Sequence, residues 1–231
     1  MAEPVGELDG APVGRRVVLG LLGLGALGVV TGSKIQGGLS ELLAPVQLRD
    51  PTGLTSLVPL GNTWRYYSVT GAVPVRDAAS YTLEVSGLVE RPATYSLADL
   101  EALPQISFTD TFQCVTGWHV PDVPWRGVRL ADLLDRAGPT QQAVGVRLLS
   151  FDGVYSVNMT LDQARADDVI VALTMYGKPV THDHGGPVRI YSGSMYGYKS
   201  TKWLSEIELT DRNIPGYWEE RGYPLDGIIG E

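Results

Sequence analysis

From residue 81 to residue 89 the chain reads Tyr-Thr-Leu-Glu-Val-Ser-Gly-Leu-Val. That period of two suits a half-buried strand and gives a helix no continuous apolar face. The signal recurs. Residues 144–149 and 154–159 flank the turn-like Phe151-Asp152-Gly153 and read as a hairpin, and residues 168–174, 188–191 and 203–210 are further strand candidates. Short helices are expected between them: residues 96–103 behind a capping serine, the amphipathic stretch 128–137, and a capping box at Thr160-Leu-Asp-Gln163. Runs of strands with a few short helices predict an α+β fold, mixed and strand-rich. The 15 prolines and 28 glycines, spread through the turns, make it irregular and rich in loops.

Ahead of this region the chain has another character. Gly14-Arg15-Arg16 precedes an uncharged apolar stretch, residues 17–30, which ends at Thr31-Gly32-Ser33-Lys34. A basic start followed by a short hydrophobic core is the layout of a secretory signal. Paired arginines before a glycine-rich core suggest the twin-arginine type, which exports folded proteins. The stretch is shorter than the roughly 20 residues that span a bilayer, yet no Ala-x-Ala site follows it. A cleaved signal and a retained membrane anchor both remain open, and either places the protein outside the cytoplasm, in the periplasm or cell envelope; the alternative is a buried core helix, which so many glycines would weaken. Residues 1–34 are thus read as signal or anchor, 35–61 as linker, 62–218 as the folded domain and 219–231 as a C-terminal tail.

Eighteen basic residues against 26 acidic give a formal charge of −8, with no basic run to neutralise successive phosphates, so nucleic-acid binding is excluded. One cysteine, Cys114, cannot form an intramolecular disulfide. It is inert, paired to another chain, or chemically employed. It stands in Thr111-Phe-Gln-Cys-Val-Thr-Gly-Trp-His119, at the end of a β-like run and just before a turn, where a rigid scaffold presents a side chain to a ligand. A thiolate is a soft donor for a transition metal. The competing reading is a buried free cysteine, a common interior residue. Zinc is disfavoured because neither a second cysteine nor a paired-histidine spacing accompanies it.

A second segment runs His182-Asp-His-Gly-Gly-Pro-Val-Arg-Ile-Tyr191, then Gly193-Ser-Met-Tyr-Gly-Tyr-Lys-Ser-Thr-Lys-Trp203. His184, Arg189, Lys199 and Lys202 set cationic groups among glycines in an acidic protein. Glycine lets backbone N–H groups approach an anion, and arginine grips phosphate bidentately, so the segment predicts a phosphate-bearing ligand. An ordinary solvated pair of strands is the alternative.

Taken together, Cys114 with Gly117-Trp118 after it, Trp125-Arg-Gly-Val128, Leu130-Ala-Asp-Leu-Leu134, Met175-Tyr-Gly-Lys-Pro179, His184-Gly-Gly-Pro-Val-Arg189 and Tyr196-Gly-Tyr-Lys-Ser-Thr-Lys-Trp203 resemble the molybdopterin-binding domain of the sulfite oxidase family. The resemblance covers about residues 62–218 and is strongest to the small exported bacterial members, typified by the catalytic subunit of a periplasmic methionine sulfoxide reductase. It implies a molybdenum oxidoreductase that carries out oxygen-atom or two-electron transfer on a small substrate. Cys114 would be the metal's thiolate ligand. His184, Arg189, Lys199, Ser200 and Lys202 would hold the pterin and its phosphate, with Asn62, Arg65 and Tyr66 on the opposite side. Trp118, His119 and Tyr196 would line the substrate approach, His119 either as a proton donor or as a structural loop cap.

The sequence departs from sulfite oxidases at two places. Tyr66-Tyr67 leads into Ser68-Val69-Thr70 rather than an arginine, and Val115-Thr-Gly-Trp-His119 stands where they carry Ala-Gly-Asn-Arg-Arg, which puts a sulfite substrate in doubt. No haem-attachment or flavin motif is present, so molybdenum-molybdopterin is expected as the cofactor without haem or flavin. Electrons would pass to or from a separate carrier, a membrane haem protein or a soluble cytochrome, and the chain is expected to be a monomer. Two other classes compete. One is a non-catalytic, envelope-anchored β-rich module that binds an anionic ligand or partner; the other is a cysteine-nucleophile hydrolase, for which no histidine is placed as base.

Overall fold

A computed structural model describes residues 64–230, all within the second of two units into which the chain divides, residues 62–231. The signal-like residues 1–34, the linker and Asn62 lie outside the described residues. Among the described residues no helix is long and apolar enough to cross a membrane.

Two five-stranded sheets organise the domain. The first has the order β2-β1-β10-β5-β6, from β1 (Thr82–Gly87), β2 (Ala93–Ser96), β5 (Gly145–Ser150), β6 (Ser156–Thr160) and β10 (Leu204–Thr210). The second runs β3 (Ile106–Gln113), β4 (His119–Arg129), β7 (Val169–Met175) and β8 (Lys178–Pro179), with β9 (Arg189–Ser192) also paired to β7. Three short helices, α1 (Leu97–Ala102), α2 (Leu130–Ala137) and α3 (Leu161–Ala164), complete an α+β fold.

The alternation in β1 buries Leu83 and Val85 and leaves Thr82 and Glu84 exposed. β1 pairs in parallel with β10, the last strand of the domain, with Glu84 opposite Glu206. The expected hairpin is β5 against β6; Gly153 turns at φ 78° and Asp152 Oδ1 accepts from the N–H groups of Val154 (2.9 Å) and Tyr155 (2.7 Å). The expected capping box of Thr160 with Gln163 forms, and the expected capping serine, Ser96, makes a second box with Asp99. β7 lacks alternation because both of its faces are buried: Val169, Val171 and Leu173 enter a core shared by both sheets, whereas Ile170, Ala172 and Met175 pack on the other side with Phe112, Trp118, Trp125 and Tyr191.

Two expectations need correction. The helix placed at residues 128–137 begins at Leu130, because Val128 and Arg129 continue β4 and pair with Val171 and Ile170. Residues 219–230, read as a C-terminal tail beyond the domain, are part of its packing. They lie against the domain through an antiparallel bridge between Met195 and Ile228 and through hydrogen bonds from Tyr196 N to Gly227 O (2.8 Å) and Ile229 N to Ser194 O (3.0 Å).

Candidate functional site

Cys114 sits where β3 turns into β4. Its backbone N–H donates to Trp118 O (2.9 Å), and Gly117, at φ 96°, donates to Cys114 O (3.0 Å), so the loop is tied across its base. The thiol is half-buried, 3.2 Å from Thr116 Oγ1. Trp118 is 4% exposed and Phe112 is 7% exposed; Trp64 packs on both, 4.8 Å from Phe112 and 6.4 Å from Trp118 between ring centroids. The cysteine therefore stands against an aromatic wall instead of disappearing into an aliphatic core.

A cavity of about 410 Å³ opens beside it, lined by Cys114, His184, Arg189, Ser200 and Lys202 among others. Arg189, the first residue of β9, is buried, and its guanidinium donates to His184 O (2.6 Å), Ser200 O (3.1 Å) and Ile190 O (3.2 Å). Among the described residues no carboxylate forms an ion pair with it. Burial pulls its pKa down to about 10, which still leaves it cationic at neutral pH. A buried positive charge without a counter-ion is costly, and an anionic group in the adjoining cavity would offset that cost. Lys202 donates to Tyr67 O and lies over the Trp203 ring at 4.3 Å. Burial, then the charge of Arg189, brings its ammonium down to about 8 against the opposing pull of Asp152 and Asp183.

His184 ends a 3₁₀ turn, His182–His184, with its ring edge-on to Trp64 and Nε2 3.1 Å from the Tyr66 hydroxyl. Burial and the charges of Arg189 and Lys202 depress its pKa to about 4, although Asp183 pulls the other way. It therefore meets a ligand as a neutral hydrogen-bonding ring. As pH falls through about 6.5 the unfolded chain takes up a proton on this imidazole, while the folded chain resists until about 4, so stability is lost across that window. Urea midpoints measured from pH 7 to pH 4 are expected to fall less steeply for His184→Gln than for the wild type; identical slopes would rule the effect out.

The cavity gathers Arg65, Tyr66, Cys114, Trp118, His184, Arg189, Ser200 and Lys202. His119 and Tyr196 are not among its lining residues: His119 opens β4 opposite Gln113, and Tyr196 packs against the hydrophobic core. Lys199 is also elsewhere. Its side chain is fully buried, and its ammonium donates to Glu219 Oε1, Asn158 O (2.6 Å) and Leu225 O, which occupies its three N–H donors. The glycines have a different task from the one expected of them. The N–H groups of Gly185 and Gly186 are spent on His182 O (2.9 Å) and Thr181 O (2.8 Å), and a Cβ at either position would collide with Lys202 (2.5 Å) or Val180 O (1.9 Å). Gly185 lets the chain pass closely against Lys202, and Gly186 lets it pass against the backbone of Val180 and Thr181.

Sequence reasoning missed Asp152, whose carboxylate lines the cavity and whose Oδ2 is buried without a partner among the described residues. It also missed Trp64, Tyr155, Trp218 and Tyr223, aromatic side chains brought to the cavity from three separate segments. The Asp152-Gly153 turn signal could have pointed to the first. The aromatics carried no local signal.

A family model described as "Oxidoreductase molybdopterin binding domain" matches residues 70–218. The chain belongs to this family. A Bacillus subtilis "Uncharacterized oxidoreductase YuiH" is 38% identical over 68% of this chain and 80% of that protein. A putative protein-methionine-sulfoxide reductase subunit of Azospira oryzae is 30% identical over 95% of this chain and 89% of its own. Sulfite oxidase of Arabidopsis thaliana is 28% identical, and this chain spans 48% of its length. In fold, the chain is similar to the sulfane dehydrogenase SoxCD of Paracoccus pantotrophus, with a TM-score of 0.58 and 19% identity over 66% of this chain and 46% of that one.

As a member of the family the chain is a molybdopterin-dependent oxidoreductase, and its cavity fits the group. Arg189 would offer a phosphate a buried cation without a carboxylate partner among the described residues, Cys114 would offer the metal a soft donor, and the aromatic walls would give the organic part an apolar seat.

Proposed function

We propose that the chain is an exported molybdenum enzyme that moves an oxygen atom or an electron pair to or from a small substrate, exchanging electrons with a separate carrier, a membrane haem protein or a soluble cytochrome. The observation that supports this reading above all is that Cys114 and the cations Arg189 and Lys202 line one cavity, so a thiolate donor and a phosphate grip can serve a single bound group.

Bound there, the molybdenum and its pterin supply the two-electron chemistry. This chain's residues bind and orient. Cys114 would ligate the metal. Arg189 and Lys202 would hold the phosphate, with the Ser200 hydroxyl beside them and the neutral His184 offering a hydrogen bond. Trp64, Phe112 and Trp118 would keep water from the cysteine side. Asp152 would take N–H donors of the ligand after a small adjustment of its carboxylate. The relatives named for protein-methionine-sulfoxide reduction and sulfite oxidation make organic sulfoxides and sulfite the first substrates to test. Export by a twin-arginine signal in residues 1–34, and the carrier as partner, belong to the same proposal.

Full chain from a host that makes the cofactor should carry near-stoichiometric molybdenum and phosphorus. It should also turn over one of a panel of sulfoxides, amine oxides and sulfite with an artificial electron donor or acceptor. A metal-free, phosphorus-free product of equal stability would overturn the reading.

A further inference from the structure

We propose that segment 216–230 is a latch on the cavity, held shut by the buried Lys199–Glu219 ion pair, and that it opens to admit the organic cofactor. The inference rests on the cofactor reading above.

The segment forms one wall of the cavity. Tyr217, Trp218 and Tyr223 line it, with Trp218 stacked on Tyr223 at 5.1 Å and Tyr217 edge-on to Trp218. The wall is thin: Glu220, Arg221, Gly222, Pro224, Leu225 and Asp226 are exposed on its outer side. No strand ladder holds it; its regular structure is a single 3₁₀ turn, Glu219–Arg221, and the isolated bridge at Ile228. Trp218, Tyr223 and Ile228 pack against the core, so the segment is seated by apolar contacts on its inner side and lacks a strand ladder to lock it in register.

Besides that packing and the backbone hydrogen bonds Tyr217 N to Ser156 O (2.8 Å), Tyr196 N to Gly227 O (2.8 Å) and Ile229 N to Ser194 O (3.0 Å), the wall is fastened by a set of polar contacts that gather on Lys199. Its ammonium takes Glu219 Oε1 and Leu225 O from the segment and Asn158 O from the body of the domain. Glu219 Oε2 accepts from Gly216 N (2.5 Å) and Asn158 N (3.2 Å). Tyr198, next to Lys199, donates from its hydroxyl to Pro224 O (2.6 Å), and Gln163 Nε2 donates to Asp226 O (3.0 Å). Both charged side chains are 0% exposed. An ion pair of this kind adds little net stability over an apolar pair of the same volume, because desolvation cancels much of the attraction. It differs from an apolar pair in how it opens. Once apart, both charges recover their hydration, and the open state exposes no new apolar surface at that point. The fastening is therefore specific when closed and releasable as a unit.

The test compares the holoenzyme with Glu219→Gln, which keeps an acceptor for Gly216 and Asn158 but removes the charge. Trypsin is expected to cut after the exposed Arg221 at least tenfold faster in the variant, while cleavage after Arg147 within β5 keeps its wild-type rate. Pterin, read by fluorescence after oxidative release, should leave the variant faster by a similar factor. Tyr198→Phe, which loses one hydrogen bond to the segment, should speed both by about fivefold, and it carries the test should Glu219→Gln not fold. Faster cutting at Arg221 without faster loss of pterin would overturn the latch, as would unchanged cutting in both variants. Wild-type protein without any pterin from a cofactor-making host would instead overturn the functional reading on which the latch rests.

Discussion

Serine in place of Cys114 is expected to lower turnover at least about a thousandfold, equivalent to about 4 kcal/mol of barrier, and to leave the fold intact. A serine hydroxyl is a hard donor that keeps its proton near neutral pH, whereas metal coordination strips the proton from a thiol and gains a soft, charged ligand. The surroundings ask little of the side chain beyond its size, since Cys114 is half-buried and its one close polar contact, Thr116 Oγ1, can equally bond a hydroxyl. Thermal unfolding of the apoprotein should therefore move little while metal content and turnover collapse together. A Cys114→Ser protein that keeps its activity would remove the sulfur from the mechanism.

Methionine in place of Lys199 is expected to destabilise the domain by about 3–5 kcal/mol, because it strands the Glu219 carboxylate in the interior. At the usual scaling for a chain of this size the melting point would drop by roughly 6–20 °C. The double variant Lys199→Met/Glu219→Gln should regain much of the loss, since glutamine is neutral and still accepts from Gly216 and Asn158. Denaturant titration of the two single variants and the double variant gives the coupling directly. If Lys199 gripped a phosphate instead, its replacement would lower phosphorus content at nearly unchanged stability of the apoprotein.

Lys199 also shows what a sequence conceals. Four cationic or potentially cationic side chains close together in an acidic chain pointed to an anion site, and three of them, His184, Arg189 and Lys202, line one cavity. The fourth is consumed by a glutamate twenty positions away, and no local pattern reports a partner so distant. Elements with a clear period were legible: β1, the β5–β6 hairpin, and α1 and α3 behind their capping boxes. β4 was harder to see, because Pro121 and Pro124 interrupt its pattern and Asp122 takes φ 54°, yet the strand continues past them into Arg129. The aromatic walls were illegible for a simpler reason. Trp64, Phe112, Trp118, Trp218 and Tyr223 meet only after both sheets are assembled. His119 shows the converse, since it stands close to the cysteine in sequence and yet is not among the residues that line the cavity.

The parallel pairing of β1 with β10 also bears on how the domain is made. At roughly 5–20 residues per second, residue 84 leaves the ribosome on the order of ten seconds before residue 206, its partner across the ladder. Until then one edge of β1 has no neighbour, and β5 lacks the strand that joins it to β1. The first sheet can close only once the nascent chain is nearly finished. During that interval Leu83 and Val85 have no completed core to enter, so helpers that shield apolar segments would have to act on this N-terminal hairpin during synthesis rather than after release.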